Sequence, residues 1–191
     1  MAISKESIIN ASLNILNRDG ISNLTMRTLA KELNIKAASL YWHIKDKQAL
    51  YDLLSEHINQ EIVLPEGLKD PKETLINLSL EIRRVLLKTR DAVDVLSQSF
   101  PSTPSRIQSI KFILQTLSEY GVSNKNCLTA ANLLNNYILS FVADEIRGMN
   151  FSPEEAILFG TFFGDQYEFN LDFRQQFLYG LEVILAGLLV E

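Results

Sequence analysis

Aromatic and basic side chains suited to nucleic-acid chemistry are concentrated near the N-terminus. Residues 39–47 read SLYWHIKDK, in which the rings of Tyr41, Trp42 and His43 stand side by side before two lysines. Lysines neutralise phosphates, while side chains exposed on one short helix can contact base edges. A metal site at His43 is not expected, because no cysteine or second histidine lies at ligand spacing from it. The segment therefore favours contact with a polyanion.

The charge distribution confines that contact to the N-terminal segment. The whole chain has a formal net charge of -5, with 18 Lys and Arg against 23 Asp and Glu. Residues 1–50 reverse this balance, with seven basic and four acidic side chains. Because docking depends on the local field more than on the total charge, a basic segment on an acidic body indicates a polyanion-binding N-terminal end.

Apolar spacing predicts the helices that position these groups. Only 8 Gly and 5 Pro occur in 191 residues, and apolar residues recur every three or four positions, so the chain is predicted to be all-α. Nine or ten helices with short connections are expected. The predicted helices cover about residues 4–18, 25–34, 37–43, 46–63, 70–90, 103–120, 123–148, 152–165 and 171–190. Suitable N-caps or capping-box starts are Thr25, Asp46, Asp70 and Ser152.

The stretch LTMRTLAKELNIKAASLYWHIKDK has the pattern of a helix-turn-helix: a helix, a tight turn and a second short helix. The major groove of B-DNA admits one helix, so the second helix must be anchored by the first and exposed on its outer face. The predicted anchors are Leu29, Ala30, Leu33, Ile35, Leu40 and Ile44. The predicted outward positions are Lys36, Ala37, Ser39, Tyr41 and His43.

This pattern resembles the TetR family of bacterial transcriptional repressors, and LYWHIKDKQAL is especially similar to its tetracycline-repressor branch. The resemblance is specific over about residues 5–60 and looser through TRDAVDVL, LSEYGVS and FLYGLEVILAGL. It implies a homodimer in which each N-terminal domain reads half of a palindromic DNA operator. A cytoplasmic location is expected separately, because the one cysteine fits a reducing compartment and the N-terminus has no pattern of a secretion signal. A small molecule bound in the larger domain would respace the two recognition helices, so a ligand-released repressor is expected rather than an enzyme.

Matched position by position, the resemblance implies a set of DNA contacts. Arg27 would contact a base, with guanine as the favoured partner. Thr25 would lie near a phosphate, and Lys47 would neutralise one. The other DNA-facing positions are Lys36, Ala37, Ser39, Tyr41, Trp42 and His43. For Trp42, a core position sealing the recognition helix against helix one is an equal alternative.

The chain departs from the tetracycline-repressor branch at both expected binding sites. Met26, Ala37 and Ala38 differ from the branch in the DNA-reading segment, so a different operator sequence is expected. The branch's ligands for magnesium and tetracycline would fall at or near Val63, Leu78, Leu96 and Phe100. These side chains carry no metal-binding or polar atoms, so we expect an effector other than magnesium-tetracycline, with no metal and no cofactor.

A more apolar pocket is expected to replace the tetracycline site. The candidate lining residues are Ile82, Phe100, Phe112, Asn132, Leu133, Asn136, Tyr137 and Phe141. Arg83 is a further polar group that could orient a ligand. Aromatic residues at helical spacing also form ordinary core, so both interpretations remain open for each ring.

Domain organisation follows from where the basic character ends. We expect a DNA-binding domain over residues 1–47, with a three-helix helix-turn-helix, and a helical-bundle ligand-binding and dimerisation domain over 48–191. The fourth helix, about 46–63, would connect them. Heavy apolar load in the helices at about 153–165 and 171–190 predicts a dimer interface of four helices, two from each chain. A single monomeric core is the alternative.

Other functional classes find less support in the sequence. A single cysteine, Cys127, rules out an internal disulfide framework, and no apolar run has the length of a membrane span or the flanks of a secretion signal. An all-helical enzyme or small-molecule-binding protein without a DNA role is the main alternative. It would need a catalytic cluster, yet His57 is isolated. A body that recruits another protein also stays open.

Overall fold

A computed structural model describes residues 3–149, 152–162 and 172–189 of the chain. All regular elements in these ranges are helical, which confirms the all-α prediction. The first helices are α1 (Lys5–Asp19), α2 (Met26–Glu32), α3 (Ala37–Leu40), α4 (Lys47–Gln60) and α5 (Pro71–Lys88), with a 3-10 turn at Ile21–Asn23. The later ones are α6 (Ala92–Gln98), α7 (Pro104–Tyr120), α8 (Cys127–Met149), α9 (Pro153–Thr161) and α10 (Phe173–Gly187).

The helices form two compact units. The first comprises Met1–Leu64 and Arg84–Phe112, so it holds α1 to α4, the end of α5, α6 and the start of α7. The second comprises Pro65–Arg83 and Ile113–Glu191, with the start of α5, the rest of α7 and α8 to α10. This division reflects packing, whereas the domain boundary at residue 47 follows from charge and stays a prediction.

The predicted helix caps are confirmed by the backbone geometry. Thr25 Oγ1 accepts from Thr28 N at 3.1 Å, and Asp46 Oδ1 accepts from Ala49 N at 2.8 Å. Asp70 Oδ1 accepts from Lys72 N at 2.9 Å. Ser152 forms a capping box, since its hydroxyl accepts from the Glu155 amide at 3.2 Å. Each cap satisfies a backbone N–H that has no partner inside its helix.

Several element boundaries differ from the sequence prediction. α3 ends at Leu40, and residues 41–43 form a turn. α8 begins at Cys127 rather than at 123 or 124, because the amides of Asn126 and Cys127 both donate to Ser123 O, at 2.8 and 3.1 Å. The sequence prediction does not include α6, whose N-cap Asp91 adopts a left-handed conformation and makes no side-chain cap hydrogen bond. The parts of the last two predicted helices at 163–165, 171 and 190 lie outside the described residues.

Within the first unit, polar side chains of α4 bind the connection between α6 and α7. Gln48 Nε2 donates to Gln98 O at 2.8 Å, and Asp52 Oδ1 accepts from Phe100 N at 3.1 Å. Glu56 accepts from Ser105 as well. The three side chains are spaced four residues apart on α4, so they share one face of that helix. From this face they bind backbone groups that have no partner inside α6 or α7.

The second unit has a core built on α8 and α10. Phe177, Leu181 and Leu185 are fully buried on α10. Gly180 faces the ring of Tyr137 so closely that a Cβ atom would collide with it. The small residue therefore permits the close approach of two helices.

Candidate nucleic-acid interface and internal cavity

The short helix α3 is anchored by buried apolar side chains. Leu29 and Leu40 are fully buried, and Ala30 and Ile44 are nearly so. The two remaining predicted anchors, Leu33 and Ile35, are half-buried. Burying a leucine side chain stabilises a fold by about 1.5–3 kcal/mol, so these contacts fix α3 against the rest of the first unit.

The turn between α2 and α3 has a defined hydrogen-bonding pattern. Ile35 N donates to Ala30 O at 2.9 Å, and Asn34 N donates to Lys31 O at 3.0 Å. Asn34 has a φ of 53°, the left-handed conformation that ends many helices and that asparagine tolerates better than most residues. The direction from α2 into α3 is therefore set by backbone bonds.

Most of the predicted DNA contacts are exposed side chains on this anchored frame. The exposed residues are Arg27, Lys36, Ala37, Tyr41, Trp42, His43 and Lys47. Thr25 and Ser39 are half-buried, and the hydroxyl of Thr25 serves as the cap of α2. Trp42 is 88% exposed, so the alternative that it seals the core is wrong. As DNA contacts, these residues stay predictions.

Acidic side chains near this surface are engaged elsewhere. Arg18 of α1 binds Glu32 of α2 at 3.0 Å and its neighbour Asp19 at 2.9 Å. The hydrogen bond to Glu32, then that to Asp19, raises the pKa of Arg18. Asp46 is occupied as the cap of α4. Arg27 and Lys31 of α2, with Lys36 just before α3, therefore determine the local charge.

Lys47, the first residue of α4, is held above an aromatic ring. Its Nζ lies 5.2 Å from the ring centroid of Tyr51, which is a cation–π distance. Tyr51 is buried, whereas Lys47 is exposed. The ring limits the positions that the ammonium group samples, which suits a residue expected to bind a phosphate.

An open cleft of about 560 Å³ lies at the helix-turn-helix turn. It is lined by Arg27, Ala30, Lys31, Asn34, Ile35, Lys36 and Ala37. Lys31 and Asn34 are absent from the sequence-based list of contacts. The spacing of Lys31, four residues after Arg27 on α2, could have revealed that the two share a helix face.

A small cavity of about 30 Å³ lies within the second unit. Its lining comes from α5, α7 and α8 and comprises Leu75, Leu78, Ser79, Ile82, Ile113, Leu134, Asn135 and Ile138. Ser79 Oγ donates to Leu75 O at 2.7 Å, so its hydroxyl is already paired. Of the eight candidate pocket residues, Ile82 lines this cavity.

The other candidate pocket residues lie elsewhere in their units. Tyr137 and Phe141 form a ring cluster with Phe177, with centroids 5.2 to 5.7 Å apart. Asn132, Leu133 and Asn136 are exposed on α8, whereas Phe100, exposed, and Phe112, half-buried, belong to the first unit. Their role as ligand contacts stays a prediction.

Two polar groups beside the ring cluster already have partners. Tyr137 donates its hydroxyl to Phe177 O at 2.8 Å, and burial raises the pKa of this phenol to about 12. Arg83 binds Glu145 through both oxygens, with Nε to Oε2 at 2.7 Å, and its guanidinium lies 5.6 Å from the ring centroid of Phe177. Arg83, suggested as a ligand-orienting group, is therefore committed to a carboxylate.

Sequence comparison assigns both parts of the chain to one family. Residues 8–54 match the family model described as bacterial regulatory proteins, tetR family. Residues 64–191 match the model described as tetracyclin repressor-like, C-terminal domain. The chain belongs to the TetR family. Its members are transcription regulators rather than enzymes, and they bind DNA operators as dimers.

Relatives of this TetR-family regulator cover nearly its whole length. Tetracycline repressor protein class D of Escherichia coli is 30% identical over 99% of this chain and 90% of that protein. The crystal structure of BioQ with its natural double-stranded DNA operator aligns over all of both chains, with 26% identity and a TM-score of 0.78. ActR of Streptomyces coelicolor, in complex with (S)-DNPA, aligns over 99% and 98% with 25% identity and a TM-score of 0.79.

The TetR-family chain carries apolar residues at the positions compared with the branch's tetracycline ligands. Leu78 and Leu96 are buried, whereas Val63 and Phe100 are exposed. Among the described residues, no group of three or more His, Cys, Asp or Glu side chains could hold a metal ion. In the same ranges, no helix is both long and apolar enough to cross a membrane.

Proposed function

We propose that this chain is a repressor whose homodimer binds a palindromic operator and is released by an apolar small molecule. The observation that carries the DNA-binding part is the exposed set of Arg27, Tyr41, Trp42 and His43 on a fully buried anchor. Arg27 is thus displayed on α2, and the three rings on the turn that follows α3, next to buried leucines that fix their positions. Reading a major groove requires side chains displayed in this way.

Different residues would position the protein and read the sequence. Arg27 is proposed to read guanine, because its fork of donors matches the two acceptors that guanine presents in the major groove. Tyr41 and His43 would face the groove, and Lys47 would neutralise a phosphate. Trp42 is exposed, and its indole N–H would donate to a phosphate.

Selection of duplexes from a random-sequence pool tests the DNA-binding proposal. We expect an inverted repeat whose half-sites lie one helical turn, about 34–36 Å, apart, with an affinity that falls steeply as salt rises. Arg27→Ala should cost about 1–3 kcal/mol and relax the preference at one base pair in each half-site. Tight binding that ignores both sequence and this substitution would refute the proposal.

The exposed face of α10 is proposed as the centre of the dimer interface. Tyr179 and Val183 are 74% and 55% exposed, and Ala186 and Gly187 follow on the same stripe. Four positions spaced in this way give one apolar face with small residues at its end, where a second helix can approach closely. The face matches the interface predicted for residues 171–190.

We infer that α8 is the second helix of that interface. The sequence favours residues 153–165, and α9 does expose Ile157, Leu158 and Phe162. A four-helix interface, however, needs two helices that already lie side by side in each chain. α8 packs on α10 through the stacked rings of Tyr137 and Phe177.

Three single substitutions separate these two interfaces. Val183→Asp should give a monomer in sedimentation analysis, because it places a charge on the shared apolar face. Leu133→Asp on α8, a position 52% exposed in the single chain, should weaken the dimer as well. Ile157→Asp on α9 should leave the dimer intact. A dimer that survives Leu133→Asp but not Ile157→Asp would favour α9.

The effector is proposed to be an apolar molecule that enlarges the cavity between α5, α7 and α8. Six of its eight lining side chains are aliphatic, and Ser79 and Asn135 supply the polar atoms. A volume of about 30 Å³ accommodates roughly one or two waters, whereas ligand pockets of ordinary size reach about 300–1,000 Å³. Binding would therefore displace packed side chains.

Native mass spectrometry of the purified protein, followed by operator release assays, tests the effector proposal. A carried-over apolar compound that releases the protein from its operator is expected. Ile82→Trp should block release while leaving operator affinity unchanged, because the larger ring fills the cavity. Release that persists in this variant would place the effector outside the cavity.

A further inference from the structure

We propose that Lys31 binds a DNA backbone phosphate in the cleft at the helix-turn-helix turn, together with Lys36. This inference rests on the proposed operator binding and adds a contact that neither the sequence pattern nor the family match assigns. The cleft joins two cations from different elements, Lys31 on α2 and Lys36 before α3, around one open volume of about 560 Å³.

Backbone hydrogen bonds fix the turn at which the cleft lies. The bond from Ile35 N to Ala30 O, at 2.9 Å, and that from Asn34 N to Lys31 O, at 3.0 Å, close the turn that separates the two lysines. Ala30 and Ala37 add small side chains to the lining, so the cleft stays open between the cations.

The charge of the cleft is uniformly positive. Arg27, Lys31 and Lys36 line it, and no carboxylate does so. Glu32, the residue next to Lys31, is bound by Arg18 through two hydrogen bonds of 3.0 and 3.4 Å. Its charge is therefore compensated by α1, and the field of Lys31 and Lys36 is left for an anion.

The side-chain chemistry indicates a positioning contact. A lysine ammonium is a compact point charge without the planar fork that arginine uses to recognise a base or a phosphate in two places. Contacts of this kind set the register of a protein on the duplex and carry no sequence information. Lys31 should therefore affect all DNA sequences alike, in contrast to Arg27.

The test compares Lys31→Gln with Lys125→Gln, an exposed lysine of the second unit whose loss changes the net charge equally. The probe is the duplex selected by the wild-type protein, measured at several salt concentrations. For Lys31→Gln, the slope of log affinity against log salt should fall by about 1 for each half-site. The affinity should fall by the same factor on a duplex mutated at the Arg27 position.

Single methylphosphonate substitutions locate the phosphate. One neutralised phosphate in each half-site should weaken the wild-type protein more than Lys31→Gln, because one of the two lysines that bind this phosphate is already missing in the variant. If every neutralisation weakens both proteins equally, or if Lys31→Gln has the slope of Lys125→Gln, the inference is overturned while operator binding stands. Absence of sequence-specific binding by the wild-type protein would instead refute the proposed function.

Discussion

The surface built on α2, α3 and the start of α4 differs from the interior of the second unit in how polar groups are used. On the surface, Arg27, Trp42 and His43 are exposed, and a fixed turn displays them. In the interior, Arg83 is bound by Glu145, and the hydroxyl of Tyr137 donates to a backbone oxygen. The side chains proposed to contact DNA are thus exposed in the single chain, whereas these two polar groups inside the second unit are bound by other groups of the protein.

The two kinds of partner proposed above, a DNA duplex and a small apolar molecule, would account for this contrast. A duplex is large and rigid, so a surface prepared in advance avoids the cost of ordering long side chains at binding. A small apolar molecule offers few hydrogen bonds, and a site kept closed by packed aliphatic side chains avoids an empty cavity. We therefore expect substitutions of buried groups to lower stability, and substitutions of the exposed groups on α2 and after α3 to lower DNA affinity without changing stability.

Breaking the buried ion pair should have the largest effect on stability. Arg83→Ala leaves Glu145, which is 1% exposed, without its cation, so the free energy of unfolding should fall by about 3–5 kcal/mol. Urea unfolding at one protein concentration measures this loss. Arg147→Ala, which breaks the exposed pair with Asp144, should cost at most about 0.5–1 kcal/mol. Equal losses would remove the distinction between the interior and the surface.

Truncating an anchor and truncating a displayed ring should have opposite consequences. Leu40→Ala removes a fully buried side chain and should lower the free energy of unfolding by about 2–5 kcal/mol. Trp42→Ala should change it by no more than about 0.5 kcal/mol while weakening operator binding, because the ring is exposed. Thermal unfolding and fluorescence anisotropy measure the two quantities. Destabilisation by Trp42→Ala would show that the ring packs.

The contact of Glu56 with the start of α7 should depend on pH. Burial raises the pKa of Glu56, but hydrogen bonds from the Ser105 hydroxyl, at 2.7 Å, and amide, at 3.0 Å, outweigh it and hold the pKa below its usual value of 4.5. A lowered pKa in the folded state gives stability that is present above pH 4.5 and is lost as the pH falls through the folded value.

Comparing Glu56→Gln with the wild type isolates this contact. At pH 7 the variant should be less stable by about 1 kcal/mol, because a neutral amide accepts more weakly than a carboxylate. The difference should shrink as the pH is lowered below 4.5. Urea unfolding at both pH values measures it, and a difference that stays constant with pH would argue against the Glu56–Ser105 contact.

The turn of the helix-turn-helix should tolerate glycine at Asn34 better than a β-branched residue. Asn34→Gly should change stability by no more than about 0.5–1 kcal/mol, in the stabilising direction, because glycine adopts the left-handed conformation without a steric penalty. Asn34→Val should destabilise by about 1–2 kcal/mol for the opposite reason. Thermal unfolding compares the three proteins, and a tolerated valine would mean that the turn is less fixed than its hydrogen bonds indicate.

Local signals in the sequence predict most of the helices, including the two of the helix-turn-helix. The caps Thr25 and Asp46 form bonds within three residues, and the anchors Leu29 and Leu40 repeat at helical spacing, so both follow from short segments. α6 is harder to predict, because it has seven residues and begins after a left-handed Asp91 without a side-chain cap. Its position comes from tertiary contacts.

The proposed ligand site shows the limit of sequence reasoning. Apolar and aromatic spacing cannot tell which side chains line a void and which fill one, because that depends on helices distant in the sequence. Ile82 lines the cavity, whereas Tyr137 and Phe141 stack on Phe177. Asn132 and Asn136 belong to the exposed face of α8. The sequence predicts where α8 lies along the chain but not which of its side chains face the cavity.

The two alanines at the start of α3 have a consequence for how operator preference can change. Ala37 and Ala38 are exposed, and the fold is held by Leu29 and Leu40 beneath them. If the proposed operator contacts are right, larger side chains at these two positions would meet the DNA without disturbing the packing. We therefore expect that substitutions at Ala37 and Ala38 can change which DNA sequence is bound at little cost in stability. The start of α3 is thus a favourable position for changing the operator preference by selection or by design.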